Sequence, residues 1–216
     1  LLSNIVLDDL DRELERRGHR FVRYADDCNV YVRSERAGWQ VMESITRFIT
    51  RNLKLKVNEA KSGVVQPWES TFLGFSSILG PEPKRRIAPQ AIERLKERIR
   101  KLTRRTRTVG LKQMVAELAQ YLIGWKGYFG YGQTIDVLKK LDSWIRRRLR
   151  CVAWKQWKGG RVRFAELRAR GVIKDLAAQT AGSPHGSWRI SRSPALSFAF
   201  PNAYFKTLGL PSLIST

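Results

Sequence analysis

RFVRYADDCNVYV, residues 20–32, places two adjacent carboxylates, Asp26 and Asp27, between two short apolar runs. Both runs are rich in β-branched and aromatic residues, so they predict two strands joined by a tight turn. A plain turn would more often use Asn-Gly or Asp-Gly, because adjacent like charges repel. An acid pair on a turn can instead hold a hard divalent cation, since Mg²⁺ prefers oxygen ligands. The dipeptide alone leaves both interpretations open, a solvated turn and a metal site.

The net charge of +22 is distributed unevenly along the 216 residues. Residues 1–83 contain 12 Lys and Arg and 12 Asp and Glu, whereas residues 84–216 contain 29 basic and 7 acidic residues. A solubilising surface would mix both signs, so this excess predicts a polyanionic partner, with nucleic acid favoured over a membrane surface. The composition step near Pro81-Glu82-Pro83 also predicts a domain boundary.

Composition narrows the class of protein further. The hydrophobic share of 43% is ordinary for a globular protein with a buried core. No apolar run approaches the roughly 20 residues that a membrane-spanning helix needs, so we predict no membrane partner. The two cysteines, Cys28 and Cys151, show no metal-ligand spacing, which favours reduced thiols in a cytoplasmic protein.

Apolar spacing predicts helices alternating with short strands in the first half, an α+β arrangement. A first helix is predicted to end near Gly18, and a second amphipathic helix covers residues 41–49. Further strands are predicted at Val64-Val65 and at residues 71–75. The stripe of the first helix consists of Leu2, Ile5, Val6, Leu10 and Leu14.

From Ala88 onward, three amphipathic helices joined by short turns predict a small basic bundle. Trp125 and Trp144 lie on the apolar faces and are predicted core residues. Trp154 and Trp157 lie among lysines, and the sequence leaves them open between the core and an RNA-stacking role.

Three motifs of the first half follow one another as in a reverse transcriptase. Residues 24–27, YADD, match the Tyr-x-Asp-Asp box, and residues 55–62, LKVNEAKS, match the Leu-x-x-Asn-x-x-Lys motif. Residues 72–75, FLGF, match the Leu-Gly hairpin that supports the primer. With LLSNI at the start, residues 1–75 therefore resemble the palm of a reverse transcriptase.

The second half resembles the thumb, or maturase-specific domain, of group II intron-encoded proteins. The bundle carries this resemblance in LIGWKGYF, residues 122–129, and LDSWIRRRLR, residues 141–150. The tail adds WRIS at 188–191, SPAL at 193–196, PNAYF at 201–205 and LGL at 208–210, so the resemblance covers nearly the whole chain.

The resemblance implies an α+β chain with three parts. Residues 1–83 would be a partial reverse-transcriptase palm, with antiparallel hairpins packed on helices. Residues 84–160 would be an all-α basic thumb, or maturase-specific bundle. Residues 161–216 would extend the maturase region.

The resemblance also implies an RNA-directed DNA polymerase that uses two Mg²⁺ ions. Asp26 and Asp27 would be catalytic metal ligands, and a further Asp from outside this chain would complete the site. The nucleotide and primer contacts implied by the motifs are Tyr24, Ala25, Asn58, Lys61, Leu73 and Gly74.

The basic half would bind RNA through backbone phosphates and stacked bases. The implied partners are group II intron RNA, an RNA template with its DNA primer, and dNTPs, in a bacterial cytoplasm. The predicted RNA contacts are Arg85, Arg86, Arg94, Arg98, Lys101, Arg105, Arg146, Arg147, Arg148, Arg150, Trp154, Lys155 and Lys158.

The sequence departs from the family at its start, where relatives carry fingers and a first palm strand with another Asp. We therefore expect a fragment whose partner is the missing N-terminal reverse-transcriptase segment, and which is inactive alone. The acids of the first helix are predicted to form its solvated face. Two alternatives remain open: an RNA-binding maturase module without polymerase activity, and a reverse transcriptase that serves defence or repair.

Overall fold

The computed structural model describes residues 2–78, 80, 82–104 and 106–214. The chain divides into two compact units, Leu1–Lys84 and Arg85–Thr216. Helices combine with small antiparallel hairpins, which confirms the α+β class. The further division predicted at residue 160 stays a prediction.

The first unit begins with a helix that stops where the sequence predicted. Gly18 adopts a φ of +71°, a left-handed conformation that glycine accepts readily. The N–H groups of Gly18 and His19 donate to the carbonyls of Glu15 and Leu14, at 2.9 and 3.0 Å, and so close the helix end. The elements of this unit are α1 (Leu2–Arg16), β1 (Arg20–Tyr24), β2 (Asp27–Tyr31), α2 (Glu35–Arg51) and β3 (Phe75–Ile78).

Strands β1 and β2 form an antiparallel hairpin that pairs Arg20 with Tyr31 and Tyr24 with Asp27. Because side chains alternate between the two faces of a strand, one face of the hairpin packs on the helices and the other faces outward. The inner face contributes Phe21, Cys28 and Val30 to a core formed by Leu7, Leu10 and Leu14 of α1 with Ile45, Phe48, Ile49 and Leu53.

Two strand predictions and part of one helix stripe are wrong. Val64 and Val65 form no strand; Val64 instead packs close to α2, where a Cβ at Gly38 would lie 2.6 Å from Val64 Cγ1. The strand predicted at residues 71–75 begins only at Phe75, since the residues before it form a turn. On α1, the first part of the predicted stripe is exposed, namely Leu2, Ile5 and Val6.

In the second unit the three longest helices form the predicted bundle. Leu95 and Ile99, Leu118 and Leu122, and Ile145 and Leu149 are almost fully buried. Pro89 occupies the first turn of its helix, where its missing N–H leaves no hydrogen bond unmade. The elements are β4 (Lys84–Ile87), which starts at the boundary, then α3 (Pro89–Leu102), α4 (Leu111–Phe129), α5 (Ile135–Gln156), α6 (Gly160–Ala169), α7 (Lys174–Ala181), α8 (Ser187–Ile190), α9 (Pro194–Ala199) and α10 (Asn202–Thr207).

The tail completes the core of the bundle through an aromatic cluster. The rings of Trp157 and Phe200 stack with centroids 5.4 Å apart, and Trp154 meets Trp157 edge-on at 6.2 Å. Phe200 also packs against Tyr204 and Phe205. The last helices are therefore part of the hydrophobic core of this unit.

A buried carboxylate fixes the end of the described chain. Asp142 of α5 accepts hydrogen bonds from Ser212 Oγ at 2.7 Å and from the Leu213 N–H at 3.0 Å, and it pairs with Arg146. From α4, Lys126 Nζ donates to the Ser212 carbonyl at 2.9 Å. Residues 212–214 are thus held by both helices.

Removing this carboxylate should destabilise the protein strongly. Asp142→Ala leaves the guanidinium of Arg146 and the N–H of Leu213 without their partner, and breaking a buried ion pair costs about 3–5 kcal/mol. Urea unfolding measures the change. Asp136→Ala, on the same helix with its side chain 87% exposed, is the matched control and should stay within about 0.5 kcal/mol. Equal effects of the two substitutions would contradict the role of Asp142 in holding residues 212–214, which we call the C-terminal clamp.

Candidate catalytic hairpin and nucleic-acid interface

The turn between β1 and β2 separates the two acids. Ala25 and Asp26 are the loop residues, and Ala25 adopts a φ of +53° as such tight turns require. Asp27 is the first residue of β2, paired with Tyr24. Asp26 therefore lies at the tip and Asp27 beside it on the strand, and both are exposed.

Arg23 holds this turn against α1. Its Nε donates to Asp11 Oδ1 at 2.7 Å, its Nη2 donates to the other oxygen of the same carboxylate, and its Nη1 donates to the Ala25 carbonyl at 2.7 Å. The hydrogen bond with Asp11 raises the pKa of Arg23, which stays charged. The placement of Asp11 on a solvated face is therefore wrong, because Asp11 anchors the candidate catalytic turn through a bidentate pair.

The outward face of the hairpin joins two predicted site residues. Tyr24 and Asp27 are opposite each other in the register, so their side chains share one face, and Tyr24 is 63% exposed. Val22 and Tyr31 are exposed on the same face. The strand alternation thus places an aromatic surface next to an acid.

Both acids fit the ligand set of a magnesium ion. Within residues 2–78, neither carboxylate takes part in a hydrogen bond or an ion pair with another side chain, so their oxygens are available. Mg²⁺ is typically held by one or two carboxylates together with waters and substrate phosphates. Over the described ranges no group of three or more His, Cys, Asp or Glu side chains comes together, so the acid pair has no third such side chain beside it there.

The other predicted nucleotide and primer contacts lie on two turns. Lys61 donates its N–H to the Asn58 carbonyl at 3.1 Å, and both side chains are exposed. Leu73 and Gly74, at φ of +52° and +76°, form a two-residue turn closed by paired hydrogen bonds between Phe72 and Phe75. This geometry is a tight hairpin turn at the predicted Leu-Gly position.

The predicted RNA contacts are only partly open to solvent. Arg85, Arg94, Arg98, Lys101 and Lys158 are exposed, and three of them line the outer side of α3. Arg86 is half-buried, and Arg105 lies outside the described residues.

The arginine cluster of α5 is a set of internal contacts, which corrects the expectation of an open basic surface. Arg147 Nη2 donates to the Trp188 carbonyl at 2.8 Å, Arg148 Nε to Thr103 Oγ1 at 2.8 Å, and Arg150 Nε to the Phe200 carbonyl at 3.0 Å. Burial lowers the pKa of all three guanidinium groups. These three arginines therefore hold other parts of the unit, whereas Arg146 pairs with Asp142 of its own helix, and the RNA contacts expected of all four stay predictions.

The structure also corrects the stacking role predicted for Trp154. Trp154 is 1% exposed and Trp157 is 8% exposed, so neither ring can stack on a base, and the RNA contact predicted for Trp154 is wrong. Phe200, which stacks on Trp157, lies more than forty residues further along the chain. Trp125 is buried as predicted, and Trp144 is half-buried beneath Arg148.

A basic cavity of about 730 Å³ opens between α3, α5 and α8. Lys101, Arg148 and Lys155 of the predicted RNA contacts line it. Arg100 and Arg104, which belong to the Arg-rich stretch of residues 94–107 that the sequence suggests for phosphate binding, line it too, as does Trp188, for which no site role was predicted. The α5 side of the cavity could have been predicted from the sequence, because residues 148, 151, 152 and 155 share one face of a helix. The position of Trp188 beside them depends on the tail and carries no local signal.

Two family matches cover most of the chain. Residues 1–77 match the reverse transcriptase (RNA-dependent DNA polymerase) family, and residues 92–171 match the maturase-specific domain of group II introns. The domain pair is that of a group II intron reverse transcriptase/maturase. No curated protein matches the chain significantly.

Each of the two family matches contains a distinct set of structural elements. The reverse-transcriptase match contains the YADD hairpin and the Leu73-Gly74 turn, and the maturase match spans most of α3 through α6. The tail from residue 172 onward, including Trp188, follows the second match. Of the helices described, none is long and apolar enough to cross a membrane.

Proposed function

We propose that this chain supplies the catalytic hairpin and the RNA-binding thumb of an RNA-directed DNA polymerase that also binds group II intron RNA and assists its splicing. The observation that carries the polymerase part is the YADD turn within a region that matches reverse transcriptases. Its two carboxylates are exposed and pair with no other side chain of residues 2–78. The maturase match and the basic excess of residues 84–216 support the RNA-binding part.

Each residue of the hairpin has a separate task in this proposal. Asp26 and Asp27 would hold Mg²⁺, which, when bound, supplies the charge stabilisation that nucleotidyl transfer needs. Tyr24 presents an exposed ring beside Asp27, where it can pack against the primer terminus or the incoming nucleotide. Arg23 keeps the turn in place by binding the Ala25 carbonyl and α1 at once. A third acid, from outside the described residues, would complete the metal site.

The two other turns would position the nucleic acid. Lys61 is an exposed ammonium on a short turn, and such a compact charge is suited to phosphate oxygens. Asn58 fixes that turn through its backbone carbonyl. The tight turn at Leu73-Gly74 would support the primer strand.

The exposed cations of α3 would bind the RNA backbone. Arg94, Arg98 and Lys101 are spaced by four and three residues, so they follow one side of the helix. Each phosphate that they neutralise releases counterions and adds affinity without base specificity. They suit recognition of a folded RNA along its backbone.

A second candidate function is an RNA-binding maturase module without polymerase activity. The observation that favours it is the second unit, which has its own buried core and carries all but one of the 22 net positive charges. In that case the acid pair of the first unit would be a residual feature.

Primer extension and RNA binding by the same preparation test these proposals. With Mg²⁺, poly(rA)/oligo(dT) and dTTP, the purified chain should extend no primer, because its described residues would supply two acidic ligands for two metals. A group II intron RNA should nevertheless bind, which shows that the preparation is folded. Robust extension would contradict the proposal of an incomplete metal site. Failure to bind the intron RNA would contradict the maturase role.

A further inference from the structure

We propose that the basic cavity between α3, α5 and α8 takes an unpaired nucleotide of the bound RNA, with its base stacked on Trp188. This inference rests on the proposed RNA-binding function and assigns it a specific contact. The maturase match ends at residue 171, so Trp188 lies beyond it.

The charge of the cavity selects a phosphate-bearing ligand. Five cationic side chains line it against one carboxylate, that of Glu97. Arg100 and Lys101 come from α3 and Arg104 from the segment just after it, whereas Arg148 and Lys155 come from α5. Such a concentration of positive charge in a concave site attracts polyanions. Its volume is about 730 Å³ and it is widely open to solvent, as a site for one nucleotide of a longer strand requires.

Trp188 supplies a rigid platform at this cavity. The guanidinium of Arg147 lies over its ring, with the Arg147 Cζ 3.8 Å from the centroid. Arg147 also donates to the Trp188 carbonyl at 2.8 Å, and Ser191 Oγ donates to the same carbonyl at 2.7 Å. Because Arg147 covers one face and the residue is still 40% exposed, the accessible surface lies on the other face and the edges.

A rigid aromatic ring beside phosphate-binding cations favours single-stranded RNA over a duplex. Stacking on a protein ring requires a base whose face is exposed, and paired bases are covered by their neighbours. Single-strand sites typically combine a charged groove with such aromatic platforms. In a folded intron RNA the ligand would be a base in a loop or bulge.

Substitution of Trp188 in the full chain tests the platform. Trp188→Ala should weaken binding of a short single-stranded oligoadenylate RNA by about 5- to 150-fold, the range for loss of one stacked base. The slope of affinity against salt should not change, and affinity for a fully paired RNA duplex should stay within about twofold. Trp188→Phe, which keeps a ring, should restore most of the affinity. Phe198→Ala, at a ring 61% exposed that does not line the cavity, is the matched control and should leave both affinities unchanged.

A thiol footprint tests occupancy of the cavity without altering it. Cys151 lines the cavity and Cys28 lies in the other unit, so in a Cys28→Ser chain the single thiol reports on the cavity. Oligoadenylate should slow alkylation of Cys151 by N-ethylmaleimide in proportion to the fraction bound, whereas Cys28 in a Cys151→Ser chain should keep its rate.

The outcomes separate this inference from the proposed function. If oligoadenylate binds but Cys151 reacts at an unchanged rate, or if Trp188→Ala weakens duplex and single strand equally, the cavity is not a base-binding site, although the chain still binds RNA. If the intron RNA does not bind the unmodified chain at all, the proposed function fails as well. If the Trp188→Ala chain does not fold, the alkylation rate of Cys151 in the Cys28→Ser chain, which keeps Trp188, decides whether the RNA occupies the cavity.

Discussion

Asp26→Ala should abolish primer extension when this palm is assayed within a complete polymerase. The residue lies at the tip of the β1–β2 turn with an exposed carboxylate, and loss of a direct metal ligand should cost more than the roughly 10- to 100-fold typical of residues that only orient such ligands. RNA affinity should stay within about twofold, because in the proposed function the basic unit supplies most phosphate contacts. Single-turnover extension and RNA titration measure the two effects.

The matched control for this substitution is Asp9→Ala, an exposed acid on α1 of the same unit. It removes the same charge but lies on a different element from the turn, so extension should continue at the unmodified rate. If Asp26→Ala loses extension and RNA binding together, or lowers the thermal midpoint of the unit, then Asp26 is structural and its assignment as a ligand is wrong.

Binding of structured RNA should fall by roughly 10³- to 10⁵-fold between about 50 and 200 mM salt if 6–10 phosphate contacts form. Replacing Arg94, Arg98 and Lys101 by Gln should flatten the log–log slope by up to about three units, since each lost contact contributes close to one. Titrations of a group II intron RNA at several salt concentrations measure the slope.

A charge-matched control separates specific contacts from net charge. Arg33, Arg36 and Arg51 are exposed in the first unit, and replacing them by Gln removes the same three charges. Their loss should leave the slope nearly unchanged. A salt-independent affinity, or equal slopes for the α3 triple variant and the unmodified chain, would mean that α3 is only a solvated surface.

Where the sequence predicted structure well, the determinants were local. The stripe of α3 repeats every three to four residues, Gly18 ends α1, and the two runs around Asp26 have β-branched and aromatic composition. Local patterns of this kind need no knowledge of distant residues. They identified the hairpin and the three-helix bundle.

The predictions that failed depended on partners far along the chain. Arg148 finds Thr103 at a separation of 45 residues, Arg150 finds the Phe200 carbonyl at 50, and Arg147 finds Ser191 at 44. A charge run in the sequence therefore predicted a solvated cluster, although the fold uses it internally. Trp157 shows the same dependence on a distant partner, because the ring of Phe200 that stacks on it lies more than forty residues further along the chain.

In the candidate site, too, the sequence predicted the features that depend on local residues and not those that depend on distant partners. The acids of the YADD turn were readable from sequence, but the support that Asp11 gives through Arg23 was not, because acids on a helix predict a solvated face. Trp188 belongs to the WRIS motif, but the sequence does not place it beside the cavity that α3 and α5 form, on which its proposed stacking role depends.

The C-terminal clamp on residues 212–214 has a consequence for biosynthesis. Asp142 and Lys126 receive their partners only when residues 71 and 86 positions further on have emerged from the ribosome. A product that ends before residue 212 would leave the side chains of Asp142 and Lys126 without their partners and would loosen this part of the fold. Proteases cleave such transiently open states. Products of nonsense mutations or premature termination shortly before codon 212 should therefore be degraded, even though every helix of the bundle has already been translated.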